Sequence, residues 1–230
     1  KALKRLVKYN FMKISVEQAV AHKLINDYRV KLIAVPMTDI EAIQHKEIAI
    51  RLTKARHVSH QVAMMVTGAR MRFIYELRSK LVVMQRFVQK SPNRKLIFTS
   101  RKEDCNLFTN NIYHSDTDDT ALKAFAEGKV NDLVSIKQIR TGGNFKNFDT
   151  IFSSQINNKK STFMQDLGRL FRLEVDQLGT IYAFYADDTQ DMIWATNATK
   201  DIPEEKKRIY KYDATLPGGE QIRHILQDTF

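Results

Sequence analysis

Residues 91–136, SPNRKLIFTSRKEDCNLFTNNIYHSDTDDTALKAFAEGKVNDLVSI, decide the fold. After the turn signal Ser91-Pro92-Asn93, short apolar runs alternate with stretches of helical pattern. Leu96-Ile-Phe-Thr99 reads as a buried strand, residues 102 to 110 as a helix, and Asn111-Ile-Tyr-His114 as a second strand. Asp118 to Glu127 then reads as a helix closed by Gly128, and Asp132-Leu-Val-Ser-Ile136 as a third strand. Strands that alternate with helices in this way predict a parallel sheet covered on both faces, because each crossover helix must pack back onto the sheet.

The alternation extends in both directions. Downstream, Phe148 to Phe152 predicts a strand, Ser161 to Leu173 a helix, and Gly179 to Phe184 another strand. Upstream, Tyr28 to Val35 (YRVKLIAV) adds one more. Between them, residues 38 to 90 carry Ile, Leu, Val, Met and Phe at mixed three- and four-residue spacing without proline. That pattern predicts two or three packed helices, with a break near Thr67-Gly68. Lys46, Arg51, Lys54, Arg56, Arg70, Arg72, Arg78, Lys80 and Arg86 interleave with them and read more readily as a solvated face than as a dedicated DNA-binding surface. Residues 201–230, with Pro203 and Pro217-Gly-Gly, read as a polar C-terminal extension or tail.

Composition narrows the function. The 230 residues can bury one sizeable core with decorations, and a formal charge of +11 favours a polyanionic partner such as nucleic acid. A single cysteine, Cys105, excludes an internal disulfide or a Cys-rich zinc site, which fits a reducing cytoplasm. No apolar run approaches the roughly 20 residues of a membrane span, so no membrane is expected. A chain that opens on Lys1 rather than Met suggests a fragment or a processed form.

In open parallel sheets, ligands bind beyond the carboxyl ends of the strands. Three connections stand out there. Thr99-Ser100-Arg101 offers two hydroxyls and a guanidinium after a strand, which suits a phosphate, although Ser or Thr before a helix is more often an N-cap. Arg140-Thr-Gly-Gly-Asn-Phe-Lys-Asn147 pairs two glycines, which permits close backbone approach to a ligand or simply a turn. In Ser161 to Arg172, Gln165, Arg169 and Arg172 stand at i, i+4 and i+7, while Phe163, Leu167, Leu170 and Phe171 form the opposite, apolar stripe. Two guanidiniums held a turn apart suit charge neutralisation at a transferring phosphoryl group; solvated surface arginines are the bland alternative. Gly168 inside this helix costs about 1 kcal/mol relative to Ala and calls for a reason such as a close neighbour. His57 and His60 read as surface histidines rather than metal ligands, Trp194 as a packing anchor, and no metal site is expected.

Together these segments resemble the C-terminal RecA-like domain of superfamily 2 helicases. Gln-Asp-Leu-Gly-Arg-Leu-Phe-Arg (165 to 172) is similar to motif VI, Leu-Ile-Phe-Thr-Ser (96 to 100) to motif IV, and Thr-Gly-Gly-Asn-Phe-Lys-Asn (141 to 147) stands in the place of motif V. The resemblance runs from about residue 11 to 195 and is nearest to phage branch-migration helicases and restriction-enzyme motors. Two positions depart from it: Asn144, where the family commonly has an acid, and Ser115, where it often has glycine.

The resemblance implies an α/β, RecA-like parallel sheet flanked by helices, with a helical insertion or extension. Residues 1–200 would form the second motor domain, with the helical segment at about 38–90 and the motif-bearing core at about 91–195; 201–230 would be an extension. It implies ATP and Mg²⁺ bound mainly by an N-terminal RecA-like domain of the same protein. Arg172 and Arg169 would act as arginine fingers, ordered by Gln165, and Gly142 and Asn144 would face the nucleotide. Thr99, Ser100, Arg101 and Thr141 would hold a DNA strand, single-stranded or branched, with RNA also possible. The setting would be a bacterial or phage-infected cytoplasm. The sequence has no G-x-x-x-x-G-K-[ST] loop and no Asp-Glu pair after a strand, so the chain alone is expected not to hydrolyse ATP. Two alternatives remain open: a non-catalytic nucleic-acid-binding or interaction module with a motor-like fold, and the ATP-driven translocase subunit of a restriction or remodelling complex.

Overall fold

The computed structural model describes residues 16–136, 145, 148–156, 163, 168 and 177–230. A seven-stranded sheet forms its centre: β1 (Tyr28–Val35), β2 (Lys95–Phe98), β3 (Ile112–Tyr113), β4 (Asp132–Ser135), β5 (Thr150–Ser153), β6 (Gly179–Ala186) and β7 (Lys207–Lys211). Their spatial order is β3-β4-β2-β5-β6-β1-β7, and every neighbouring pair is parallel. Helices α1 (Val16–Ala21), α2 (Asp39–Val58), α3 (His60–Tyr75), α4 (Arg78–Lys90), α5 (Thr120–Ala126), α6 (Gln190–Thr199) and α7 (Gly218–Gln227) complete the described elements.

Strict alternation along the strands divides the core in two. Val30, Leu32, Leu96, Phe98, Ile151 and Ile181 face one side, where Phe125 of α5 and Ala195 and Ala198 of α6 cover them. Ile33, Ile97, Val134, Phe152 and Phe184 face the other, under Val83, Met84 and Phe87 of α4 and Ile222 and Ile225 of α7. Parallel strands buried on both faces are predominantly apolar, which is why β1, β2, β4, β5 and β6 stood out in the sequence.

Three expectations change. The break placed near Thr67-Gly68 lies instead at Ser59, whose backbone is extended (φ −165°, ψ 158°) and whose hydroxyl accepts from Val62 N. Thr67 lies inside α3 with its hydroxyl donating to Ala63 O at 2.8 Å, and Gly68 has open space about it. Residues 102 to 110 hold only a single 3-10 turn, Cys105–Leu107, rather than a helix. Thr109 and Asn111 side chains there bond the Asp132 carboxylate at 2.9 and 2.8 Å, a local alternative to helical hydrogen bonding. Residues 201–230 do not trail as a tail: β7 pairs with β1, and α7 buries Ile222 and Ile225 against the sheet.

The helix expected at 161–173 falls largely outside the described residues. Phe163 and Gly168 are both helical, and Phe163 is buried in the same core cluster as Phe145 and Phe148. Gly168 meets no described atom within 4 Å of where a Cβ would stand, so the close neighbour expected to justify it is not found among the described residues.

Candidate nucleic-acid and nucleotide-facing edge

Because every pairing is parallel, all strands deliver their carboxyl ends to one edge. The three motif-bearing connections leave β2, β4 and β5, and these strands lie side by side in the order β4-β2-β5. Of the three segments, the one after β2 lies at this edge among the described residues; of the other two only Phe145, Phe163 and Gly168 are described.

Thr99, Ser100 and Arg101 follow β2 there, and each is already engaged. Thr99 is fully buried; its hydroxyl donates to Arg101 O at 3.1 Å and lies 3.5 Å from Cys105 Sγ. Burial pushes the Cys105 thiol up, so it behaves as an inert packing group. Ser100 donates to Tyr75 O at 3.2 Å. The Arg101 guanidinium lies 3.0 Å from Glu76, 3.4 Å from Glu103 and 3.5 Å from Asp104. The Glu76 hydrogen bond and these charges hold its pKa above the ordinary arginine value, so the cation is secure. Burial moves Asp104 upward, against the pull of Arg101. Three carboxylates around one guanidinium offset its charge, so a phosphate here must compete with them.

The remaining sequence candidates, Thr141, Gly142, Asn144, Gln165, Arg169 and Arg172, lie outside the described residues. Their nearest described neighbours are firmly placed. Phe145 is buried and packs edge-on against Phe125 and Phe148, with ring centroids 5.5 and 6.1 Å away. Phe163 is buried in that same cluster, so both motif-bearing segments are anchored by an aromatic residue to one core.

The rim also contains a charge pair that sequence reading missed. Lys80, at the start of α4, and Asp191, at the start of α6, are wholly buried 2.7 Å apart. Lys80 also donates to Ile74 O at 3.0 Å, and Asp191 accepts from Ala186 N at 3.1 Å. Beside them Trp194 is buried and packs on Tyr75 at 5.6 Å, as a packing anchor would. Tyr75 in turn bonds the side chain of Gln155, just beyond β5. Among the described residues no three His, Cys, Asp or Glu cluster as a metal site, and no helix is long and apolar enough to cross a membrane.

No protein-family model and no curated protein matches this sequence. Solved structures do. S. cerevisiae Dbp5 bound to RNA and ADP BeF3 superposes with a TM-score of 0.58 at 11% identity over 98% of this chain and 51% of that one. The separately solved C-terminal domain of this DEAD-box protein gives 0.53 at 15% identity, over 64% of this chain and 89% of that one. The fold is RecA-like. The same RecA-like arrangement is shared with the Sulfolobus solfataricus SWI2/SNF2 ATPase core in complex with dsDNA (TM-score 0.60, 10% identity, 74% of this chain and 43% of that one). It is shared too with the ATP-dependent Type ISP restriction-modification enzyme LlaBIII bound to DNA (0.55, 13%, 93% and 18%). The chain spans about half the length of the Dbp5 chain it matches. Identities this low establish the RecA-like fold, and function must be argued from the site.

Proposed function

We propose that this chain is the second motor domain of an ATP-driven superfamily 2 helicase or translocase acting on DNA. The observation that carries the reading is the gathering of the segments similar to motifs IV, V and VI onto connections leaving three adjacent strands of a RecA-like sheet.

In this reading, a preceding RecA-like domain binds ATP and Mg²⁺. Arg172, helped by Arg169 and ordered by Gln165, reaches across the cleft to neutralise charge on the γ-phosphate, while Gly142 and Asn144 face the nucleotide. Ser100, Arg101 and Thr141 meet the phosphates of one strand, Arg101 by exchanging carboxylate for phosphate. Thr99, buried and bonded to the Arg101 carbonyl, shapes the turn that presents them. Cleft closure and opening would then move the strand relative to the other domain. DNA rather than RNA is favoured by the sequence resemblance to branch-migration and restriction motors.

The test compares this chain with a longer protein that carries the nucleotide-binding half. The 230-residue chain is expected to bind single-stranded DNA without turning over ATP, whereas the longer protein hydrolyses ATP in response to DNA. ATP turnover by the chain alone overturns the assignment.

A further inference from the structure

Helices α2 and α3 form a hairpin that rises from the carboxyl end of β1, the same edge at which Thr99, Ser100 and Arg101 follow β2. They pack chiefly on each other. At 1.5 Å per residue, the 20 residues of α2 reach about 30 Å, with Ser59 at the far tip.

The base of the hairpin is fixed. Glu41 closes a capping box with Thr38 and also accepts from Ser79 N at 3.0 Å, tying the first turn of α2 to the start of α4. Tyr75, Glu76, Ser100 and Arg101 join the other leg to the loop after β2, through the hydrogen bond and ion pair already described. Farther out, Arg70 reaches His45 Nε2 at 3.4 Å and braces the two helices.

The distal part is open to solvent and rich in cations. Every residue from 56 to 62 is exposed. Between Glu47 and Glu76 there is no Asp or Glu; Arg51, Lys54 and Arg56 lie toward the tip, with Arg51 4.0 Å from Glu47, while Arg70 and Arg72 stand nearer the base. Exposed apolar side chains stand among these bases, with Val58 72% and Met65 69% accessible. A long arm whose tip is acid-free and cation-bearing is complementary to a phosphodiester backbone, and apolar side chains among cations suit the faces of unstacked bases.

We infer that the α2–α3 hairpin is a nucleic-acid arm that contacts the phosphate backbone of the substrate beyond the strand held at the rim. The inference rests on the motor reading above, since it takes the motor's nucleic acid as the partner. A protein docked on the outward Ile40, Ile43 and Ile50 stripe of α2 is the competing occupant, and it would have no use for the acid-free charge.

The test is fluorescence anisotropy of a labelled forked DNA with the 230-residue chain across a salt series. Arg51, Lys54, Arg56 and Arg72 are all exposed, so changing each to Gln should spare the fold; the corresponding all-Lys chain serves as a charge-retaining control. If these side chains neutralise three or four phosphates, the Gln variant should bind at least about 10-fold more weakly at low salt, and its slope of log K against log salt should become shallower by about 3. The all-Lys chain should bind as the parent does. Unchanged affinity and slope in the Gln variant would refute the arm while leaving the motor reading in place. No binding of any DNA by the parent chain would remove both. Unchanged DNA binding together with dissociation of an oligomer when Ile40, Ile43 and Ile50 become Ser would assign the hairpin to a protein partner and overturn the inference.

Discussion

Lys80 and Asp191 are two opposite charges with no access to water, and they join the first turns of α4 and α6 directly beneath the rim. Desolvating both is expensive, and a pair of this kind is maintained only because each ion also bonds backbone: Lys80 to Ile74 O, Asp191 to Ala186 N. Removing one partner strands the other. Asp191→Ala is therefore expected to lower unfolding free energy by about 3–5 kcal/mol in urea titrations, while Lys80→Met with Asp191→Leu should recover most of that loss. A double variant no better than the single one would mean that the remaining bonds of Asp191, not its charge pair, hold this junction. Nothing in sequence revealed the pair, because its members stand 111 positions apart and each sits in an otherwise ordinary polar position. Ser100 and Arg101 were equally opaque: their hydroxyl and guanidinium looked available until Tyr75 and Glu76 were brought beside them.

At the scale of elements, the C-terminal unit of β7 and α7 depends on one lysine of β1. Lys31 is buried and donates to Ile225 O at 2.7 Å and Asp228 O at 2.8 Å, satisfying carbonyls at the end of α7. Burial, with Arg29 and Arg208 nearby, pushes its pKa down to about 8, against the pull of Asp228. The unfolded chain titrates this group near 10.5. Below pH about 8 both states hold the proton and the fold carries the full burial penalty; between about 8 and 10.5 only the unfolded chain holds it, so stability rises with pH. Urea titrations across that window should show the rise in the parent and a flattened profile in Lys31→Met. Above pH 10 the trend reverses, because burial keeps Tyr182 and Tyr185 protonated in the fold after they ionise in the unfolded chain. This unit was hard to read in advance for a physical reason. An edge strand is wet on one side, so Lys207–Lys211 shows little of the largely apolar character that made Tyr28–Val35 and Gly179–Ala186 plain.

For the whole molecule, the sequence was legible where burial dictates composition. Six strands, the glycine closing α5 at φ +76°, and the helical nature of the insertion followed from apolar spacing and turn chemistry. The reading failed where partners decide conformation: Ser59 rather than Gly68 ends the first arm of the hairpin, and Asp132 replaces a helix at 102–110 with polar loop bonds. Of the candidate site, only Thr99, Ser100 and Arg101 lie among the described residues; the sheet order shows that the connections carrying the other two segments leave the adjacent strands β4 and β5. The central claim is that Arg172 completes, from this domain, an ATPase site whose nucleotide is held elsewhere. Its most direct test is DNA-stimulated ATP hydrolysis by the longer, P-loop-bearing protein with Arg172→Ala, measured beside DNA affinity. Turnover should fall by roughly 10³ to 10⁵ with DNA affinity nearly unchanged; hydrolysis at the parent rate would contradict the account.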